Sequence, residues 1–448
     1  MDSSLYQPLF RLGRGCAFAT LMVVFTGCVS FPKESAEIQE LRRQRRAEAV
    51  IPVEKRAVQI ERMLFGDFYE ERLGLVSTFV TVRDGRIEKG PVHVEQNAHL
   101  LIGLACHYAV TGDPAIEERA LRLIAGLDEL DRTNGFDGFL PLEARIDAGE
   151  IEVINDRFVA SSYVQLLYAE VLASRLFSDS SLKVAIRTQA LRLLDHLKEH
   201  DLVVVDEHGR PLEYSDASLK PRLVGASSEL ETLMFVEAGV FFTHGDPALA
   251  PAWAALKKRM DGGFKYDRLP FVLHFSTPLL ELPTISSSWL NFMKLSALVE
   301  TTGSGKYRGL LRGLVDDYRA HQNPFFIALD LLHGPPKCDG RAADELRVAW
   351  SRLETYPLTN TSHELSNRGR PPYRLQWPPR FIKNAWAYQA VKPVPFYDYA
   401  GDRYLWKRNL RLLSGNRGNE GGEWYSGVDF YEAYWMLSYA KFAGLAGR

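Results

Sequence analysis

Cysteine, net charge and catalytic signatures are what this sequence has least of. Only four Cys occur in 448 residues, at positions 16, 28, 106 and 338. They show no Cys-x-x-Cys or Cys/His spacing, so no metal site is encoded and no cofactor is implied. A Cys106–Cys338 bond is chemically permitted outside the cytoplasm. Lys and Arg total 54 against 56 Asp and Glu, a net charge of −2. A protein held to nucleic acid by phosphate neutralisation carries a basic excess, so no nucleic-acid partner is expected. HExxH, GxSxG and P-loop patterns are missing, which disfavours a zinc protease, an α/β-hydrolase and an NTPase. What remains is an ordinary globular composition, 46% hydrophobic and 25% charged, in a chain long enough to bury a sizeable core.

The N-terminus carries the clearest short signal. Arg11 and Arg14 precede an apolar run from Cys16 to Phe25, which ends in Phe25-Thr26-Gly27-Cys28. A basic start, about ten apolar residues and small residues at the end make a secretory signal, too short to span a bilayer stably. The last four positions resemble the lipobox of bacterial lipoproteins, although Phe25 stands where that family has Leu or Val. The resemblance implies that Cys28 becomes the diacylated first residue and that the membrane is a partner through this anchor. With Val rather than Asp at position 29, it implies an outer-membrane location facing the periplasm. A plain signal peptide followed by a chance Cys is the other reading. Residues 31–60 are rich in Glu and Arg and read as a tether followed by a solvated helix, a wet surface rather than a binding patch. The expected organisation is a signal peptide over 1–27, the anchor and charged tether over 28–60, and one domain over 61–448.

The body is written in pairs of helices. Ile154 to Phe177 is apolar on nearly every side beyond Tyr163, as a helix buried all round must be. Leu182 to Leu197 instead shows one stripe of Leu182, Ala185, Ile186, Ala190, Leu193, Leu194 and Leu197, with Lys183, Arg187 and Arg192 on the polar side. The order recurs along the chain: a hairpin, an apolar helix, a Gly-Asp-Pro turn, then an amphipathic helix. The Gly closes one helix, and Asp-Pro caps and opens the next. Apolar helices are expected to begin near 95, 156, 227, 286 and 428. The Pro-rich interval 320–427 is expected to hold one more pair, around Ala342–Leu353 and Tyr404–Leu413. Spacings of roughly 60–70 residues are too long for TPR or HEAT units of about 34–47 residues. They suit an all-α (α/α) toroid of about six helical hairpins, with short β-hairpins in the loops.

In such a ring the apolar helices all start at one end, so their first turns share a mouth. Polar residues concentrate there. Capping explains Ser and Asp at these positions, but it explains Asn97, His99, Arg157, Glu231 and Asn291 less well. Inside an apolar helix an unpaired polar group costs about 1–3 kcal/mol, so these residues either pair with one another or face a cavity. The layout resembles the (α/α) toroids of glycoside hydrolases, uronyl hydrolases, polysaccharide lyases and related epimerases. That resemblance implies a carbohydrate substrate and an aromatic-lined cleft with acidic residues. Hydrolysis needs two carboxylates in different protonation states; Asp156 is the first candidate, with Glu229 and Asp429 as partners and Arg157 to bind an acidic group. Lyase chemistry needs a base, for which Tyr163, His99 or Arg157 would serve. Trp377, Trp386 and Trp424 are candidates for stacking on sugar rings. The loops Asn134–Phe139 and Gly418–Glu423 carry matching residue types. Two functions follow: an envelope-anchored hydrolase or lyase, or a non-catalytic lipoprotein that binds glycan or scaffolds an envelope complex.

Overall fold

The structure is a computed structural model of the chain. It describes residues 36–445 apart from 84–85, 134–137, 139, 157–158, 204, 206–209, 211–225, 264–285, 337–339, 359–387, 390–392, 399–402, 411 and 414–421. Thirteen α-helices lie among the described residues. In chain order they are α1 (Ala36–Glu48), α2 (Val53–Gly66), α3 (Val94–Thr111), α4 (Pro114–Thr133), α5 (Ala160–Leu176), α6 (Ser180–Glu199) and α7 (Ala226–Phe242). Then come α8 (Ala250–Gly263), α9 (Ser286–Thr302), α10 (Gly305–Tyr318), α11 (Pro324–His333), α12 (Arg341–Leu353) and α13 (Val428–Leu445).

Helices α3, α5, α7, α9, α11 and α13 pack each on the next, and α13 packs back on α3 to close the ring. α9 also packs across on α5, so the middle of the ring is filled rather than open. The outer layer is α2, α4, α6, α8, α10 and α12, each against one or two inner helices. The architecture is an (α/α) toroid of six helical pairs, and its cause is legible in two helices. α5 is buried from Ser162 to Ala173 without interruption, whereas α6 buries Leu182, Ile186, Ala190, Leu193, Leu194 and Leu197 along one stripe. Each fully buried Leu contributes about 1.5–3 kcal/mol, so α5 is stable only when enclosed and α6 only when laid against something.

The turns repeat their chemistry. Gly112 closes α3 at φ 65° and Gly245 stands at φ 79° after α7, in the left-handed region that glycine enters without a Cβ penalty. The following Asp caps in both cases: Ala115 N–H donates to Asp113 Oδ1 at 2.9 Å, and Ala248 N–H to Asp246 Oδ1 at 3.0 Å. Two three-stranded antiparallel sheets sit in the loops, one from Phe79–Arg83, Arg86–Lys89 and Glu423–Tyr425, the other from Val92–His93, Glu143–Asp147 and Glu150–Asn155. Where α3 meets α13, a Cβ on Gly103 would lie 2.7 Å from the Tyr431 ring and 3.2 Å from the Glu432 Cα. That close approach brings His99 against Glu432.

The structure departs from the sequence reading in four places. The helix expected near 156 begins at Ala160, because Glu150–Asn155 finishes a strand and leaves Ile154 exposed. Tyr404–Leu413 is not a helix but a 3-10 turn, Leu405–Lys407, followed by the strand Leu412–Leu413. The sixth inner helix is α11, whose Pro324 is a helix opener rather than a breaker: it occupies the first turn, and the Asn323 side chain caps Phe325 N–H at 3.0 Å. The charged stretch 31–60 is also not simply wet. Arg42, Arg45 and Arg56 are buried. Arg42 and Arg46 reach Asp398 at 3.7 and 3.1 Å, while the Arg56 guanidinium donates to the carbonyls of Glu48 and Tyr356. Burial pushes the Arg45 guanidinium down to about 10, partly offset by Glu48. Cys106 is a buried free thiol, and Cys28 and Cys338 lie outside the described residues. Among the described residues no helix is long and apolar enough to cross a membrane.

Candidate functional site

The starts of α3, α5, α9, α11 and α13 converge, and one short turn, Leu405–Lys407, gathers them. Leu405 N–H donates to Asp429 Oδ2 at 2.9 Å and Trp406 Nε1 to the Asp429 carbonyl at 2.8 Å, both from the start of α13. Asn323, the cap of α11, donates to the Trp406 carbonyl at 3.1 Å. Lys407 Nζ lies 3.3 Å from Glu95 Oε2 on α3 and 4.4 Å from the ring centre of Trp289 on α9. Ser162 on α5 donates to Glu95 Oε1 at 2.7 Å. α7 joins through Glu231, which pairs with Lys294 of α9 at 2.7 Å.

Beside this turn lies a cavity of about 240 Å³, lined by Thr78, His93, Glu95, Gln96, His99, Gln165, Arg403, Tyr404, Lys407 and Arg408. A larger one, about 670 Å³, lies between α10, α11 and α12. Its charged residues Asp316, Arg319, Arg341 and Glu345 pair with one another and Asp344 pairs with Arg347, and no histidine lines it. Histidine and carboxylate side chains gather instead at the smaller cavity.

His99 is engaged at both ring nitrogens. Gln165 Nε2 donates to the Ser161 carbonyl at 3.0 Å, which turns its Oε1 toward His99 Nε2 at 3.1 Å. An acceptor at that distance assigns a proton to Nε2. On the other side Nδ1 lies 2.8 Å from Glu432 Oε1, and Tyr404 OH donates to Glu432 Oε2 at 2.6 Å. The Nδ1–Oε1 contact therefore holds one proton shared by His99 and Glu432. Burial pushes the Glu432 carboxyl above the ordinary range, and His99 and Tyr404 offset this only in part. The Tyr404 ring lies over the imidazole, centroids 4.2 Å apart, and burial beside Glu432 drives its hydroxyl well above the usual tyrosine range. Glu95 is the opposite case. Burial alone would raise its carboxyl, but Lys407, His93 and Ser162 hold it at about 2. Burial pushes His93 down. Two carboxylates with protonation driven in opposite directions are the arrangement acid–base catalysis uses.

Of the residues expected from sequence, His99 lines this cavity. Asn97 is buried and binds the strand before it: Oδ1 accepts Val76 N–H at 2.8 Å, and Nδ2 donates to the Val76 and His93 carbonyls at 3.0 and 3.1 Å. Tyr163 donates to the Gly138 carbonyl at 2.7 Å. Asp429 accepts from Leu405, from Tyr356 OH at 2.6 Å and from its own neighbour Phe430. Glu229 is half-buried in the first turn of α7, Asn291 is buried on α9, and Asp156 is exposed at the end of a strand. Trp424 pairs with Val80 in the sheet and is 36% exposed. Arg157, Trp377, Trp386 and most of the loops 134–139 and 418–423 lie outside the described residues. Among the described residues no three His, Cys, Asp or Glu form a metal-binding group. Sequence reasoning gives no place to Gln165, Tyr404 or Lys407, and puts Glu432 among the polar residues of the shared mouth without a role. Gln165 and Glu432 had a signal, being polar one turn inside an apolar helix, and Tyr404 and Lys407 were hidden by the helix expected there.

No protein-family model matches this chain, and no curated protein matches it. Solved structures share the course of the chain. A D-mannose isomerase is similar at 12% identity and TM-score 0.45, over 87% of this chain and 97% of that one. A cellobiose 2-epimerase from Bacillus thermoamylovorans is similar at 11% identity and TM-score 0.44, over 87% and 99%. An unsaturated glucuronyl hydrolase specific for heparin is similar at 12% identity and TM-score 0.40, over 90% and 98%. At these values the likeness concerns architecture, and no reaction follows from it.

Proposed function

We propose that this chain is an envelope-anchored, carbohydrate-processing enzyme that cleaves a glycosidic bond, as a hydrolase or a lyase, in the cavity at the mouth of the ring. The substrate class rests on the resemblance of the toroid to sugar-cleaving enzymes, an analogy of architecture. The reaction type rests on one observation: a histidine at the cavity wall shares a proton with a buried glutamate behind it. In this reading the substrate replaces Gln165 at Nε2. His99 gives its Nε2 proton to the departing sugar oxygen while the proton shared with Glu432 settles on Nδ1, leaving Glu432 ionised beside Tyr404. Glu95, ionised against Lys407, supplies the fixed negative charge that a positive centre on the sugar requires, as an acid–base pair of unequal protonation does in sugar cleavage.

The test is a screen of the protein lacking residues 1–28 on neutral and uronate-containing glycans. Product analysis separates hydrolysis, which takes up one water and leaves both new ends saturated, from elimination, which leaves a double bond at the new non-reducing end. His99→Gln and Glu432→Gln are expected to lower kcat by about 10²–10⁴-fold. Turnover by His99→Gln at the rate of the parent protein removes His99 from the acid role. A second reading, glycan binding without turnover, is favoured by the pairing of Glu231 with Lys294 and of Asp429 with Tyr356 and Leu405. Saturable binding with no product from any glycan supports it. The lipid anchor is part of the proposal. Fatty-acid labelling of the full chain, lost in Cys28→Ser, supports it, and a labelled Cys28→Ser variant overturns it.

A further inference from the structure

We infer that Asp429 is a positioning residue: by holding the first N–H of the Leu405–Lys407 turn, it sets Tyr404 over the His99–Glu432 pair and Lys407 against Glu95. This rests on the reading of the His99 cavity as the working site. The geometry is specific. Tyr404 is extended and the turn begins at Leu405, so the Leu405 N–H is the first of the turn and has no acceptor within it. Asp429 Oδ2 is that acceptor, at 2.9 Å in a buried setting. The same residue holds the turn a second time, its main-chain carbonyl accepting Trp406 Nε1 at 2.8 Å. Its other oxygen, Oδ1, takes the Tyr356 hydroxyl at 2.6 Å. An acceptor-only carboxylate suits a position where donors arrive from Leu405, Tyr356 and Phe430.

The consequence reaches the cavity residues within two residues on either side. Tyr404 immediately precedes the held N–H, and its hydroxyl lies 2.6 Å from Glu432 Oε2 and 3.1 Å from His99 Nδ1. Lys407 follows two residues later, 3.3 Å from Glu95. Release of the Leu405 N–H frees the turn to shift, and Glu432 then loses the donor that shares its charge. Asp429 is not among the residues that line the cavity; it acts on the pair through the turn, and its charge also raises the Tyr404 hydroxyl directly.

The test reads His99 directly and needs no substrate. Long-range ¹H–¹⁵N spectra are recorded on full-length protein labelled with ¹⁵N-histidine; the resonances that vanish in His99→Gln identify His99 among the 11 His. Asp429→Ala is expected to move the His99 Nδ1 resonance. Asp429→Asn is expected to restore part of the parent position, since one oxygen remains for Leu405. Tyr356→Phe removes only the donor to Oδ1 and is expected to lower the melting temperature while leaving His99 in place. A merely structural Asp429 would make Asp429→Ala and Tyr356→Phe alike. If Asp429→Ala does not fold, Asp429→Asn carries the comparison. His99 resonances at the parent position in whichever Asp429 variant folds overturn the proposal. On any glycan that turns over, Asp429→Ala is expected to lower kcat about 10²-fold with KM little changed. A shifted His99 without turnover on any glycan would refute the enzymatic reading and leave the positioning role standing.

Discussion

Glu170 allows the sharpest test of how the ring is held together. It lies on α5, is 0% exposed, and among the described residues neither carboxyl oxygen meets a hydrogen-bond partner. Burial pushes its pKa well above the ordinary value, and nearby Asp131 pushes it further. A carboxyl in that setting is neutral in the folded protein and ionised in the unfolded chain above about pH 4.3. The folded state then binds one more proton than the unfolded state, so stability falls as pH rises from about 4.3 toward the folded pKa. The slope is about 1.4 kcal/mol per pH unit for one proton. Glu170→Gln removes this dependence but keeps the polar atoms. Glu170→Met removes the unpaired oxygens as well, and is expected to stabilise the protein by about 1–3 kcal/mol at pH 7. The assay is urea unfolding of the parent and both variants at pH 5, 6, 7 and 8. Differences between parent and variant cancel the groups they share. The midpoint gap between Glu170→Gln and the parent should widen with pH. A gap that stays constant, or Glu170→Met unfolding at lower urea than the parent at pH 7, refutes a neutral, unpaired carboxyl in the ring.

Three further outcomes are expected. Asn97→Ala leaves the buried Val76 N–H and carbonyl without their side-chain partner; a loss of about 2–4 kcal/mol in urea unfolding is expected, and a loss under 1 kcal/mol contradicts the clamp. Glu95 is held near 2, below its ordinary 4.5, so its contribution is present above about pH 4.5 and is lost as pH falls toward 2. Glu95→Gln should cost up to about 3 kcal/mol at pH 7 and flatten the acid-unfolding curve, which circular dichroism against pH will show. Asp398→Asn leaves Arg42 buried beside a neutral group. Breaking a buried pair costs about 3–5 kcal/mol, but undocking of α1 is a cheaper escape, so the expected sign is faster tryptic cleavage within Ala36–Glu48 with the ring intact.

The layers were legible because they depend on periodicity, and the site was less so because it depends on approach. Apolar-all-round segments and striped segments alternate along the chain, and enclosure of the first by the second needs no knowledge of distant contacts. Closure of the ring then follows from having six such pairs, and the common mouth follows from closure. The misreadings share a cause. Pro324, in a Pro-rich interval, reads as a break where a proline in the first turn is favourable, and Tyr404–Leu413 reads as a helix where tertiary contacts to Asp429 and Asn323 hold a tight turn. Arg42 reads as wet because its acidic partner, Asp398, lies more than three hundred residues away.

The same reasoning shows why polar residues inside apolar helices pointed to the right region without sorting their roles. Asn97 and His99 lie two residues apart on α3, yet one holds the Val76 strand and the other lines the cavity. Two residues on a helix differ by about 200° around its axis, so they face different neighbours, and the sequence does not say which neighbour stands where. The distinction is made by Gly103. Because it carries no side chain, the start of α13 comes close enough for Glu432 to meet His99, while Asn97 turns toward the strand. A Cβ at 103 would meet the Tyr431 ring at 2.7 Å and the Glu432 backbone at 3.2 Å, and a packed backbone yields less readily than a side chain tip. The candidate acid–base pair thus exists by virtue of a glycine that carries no chemistry of its own, a kind of dependence that no inspection of acidic residues alone would reveal.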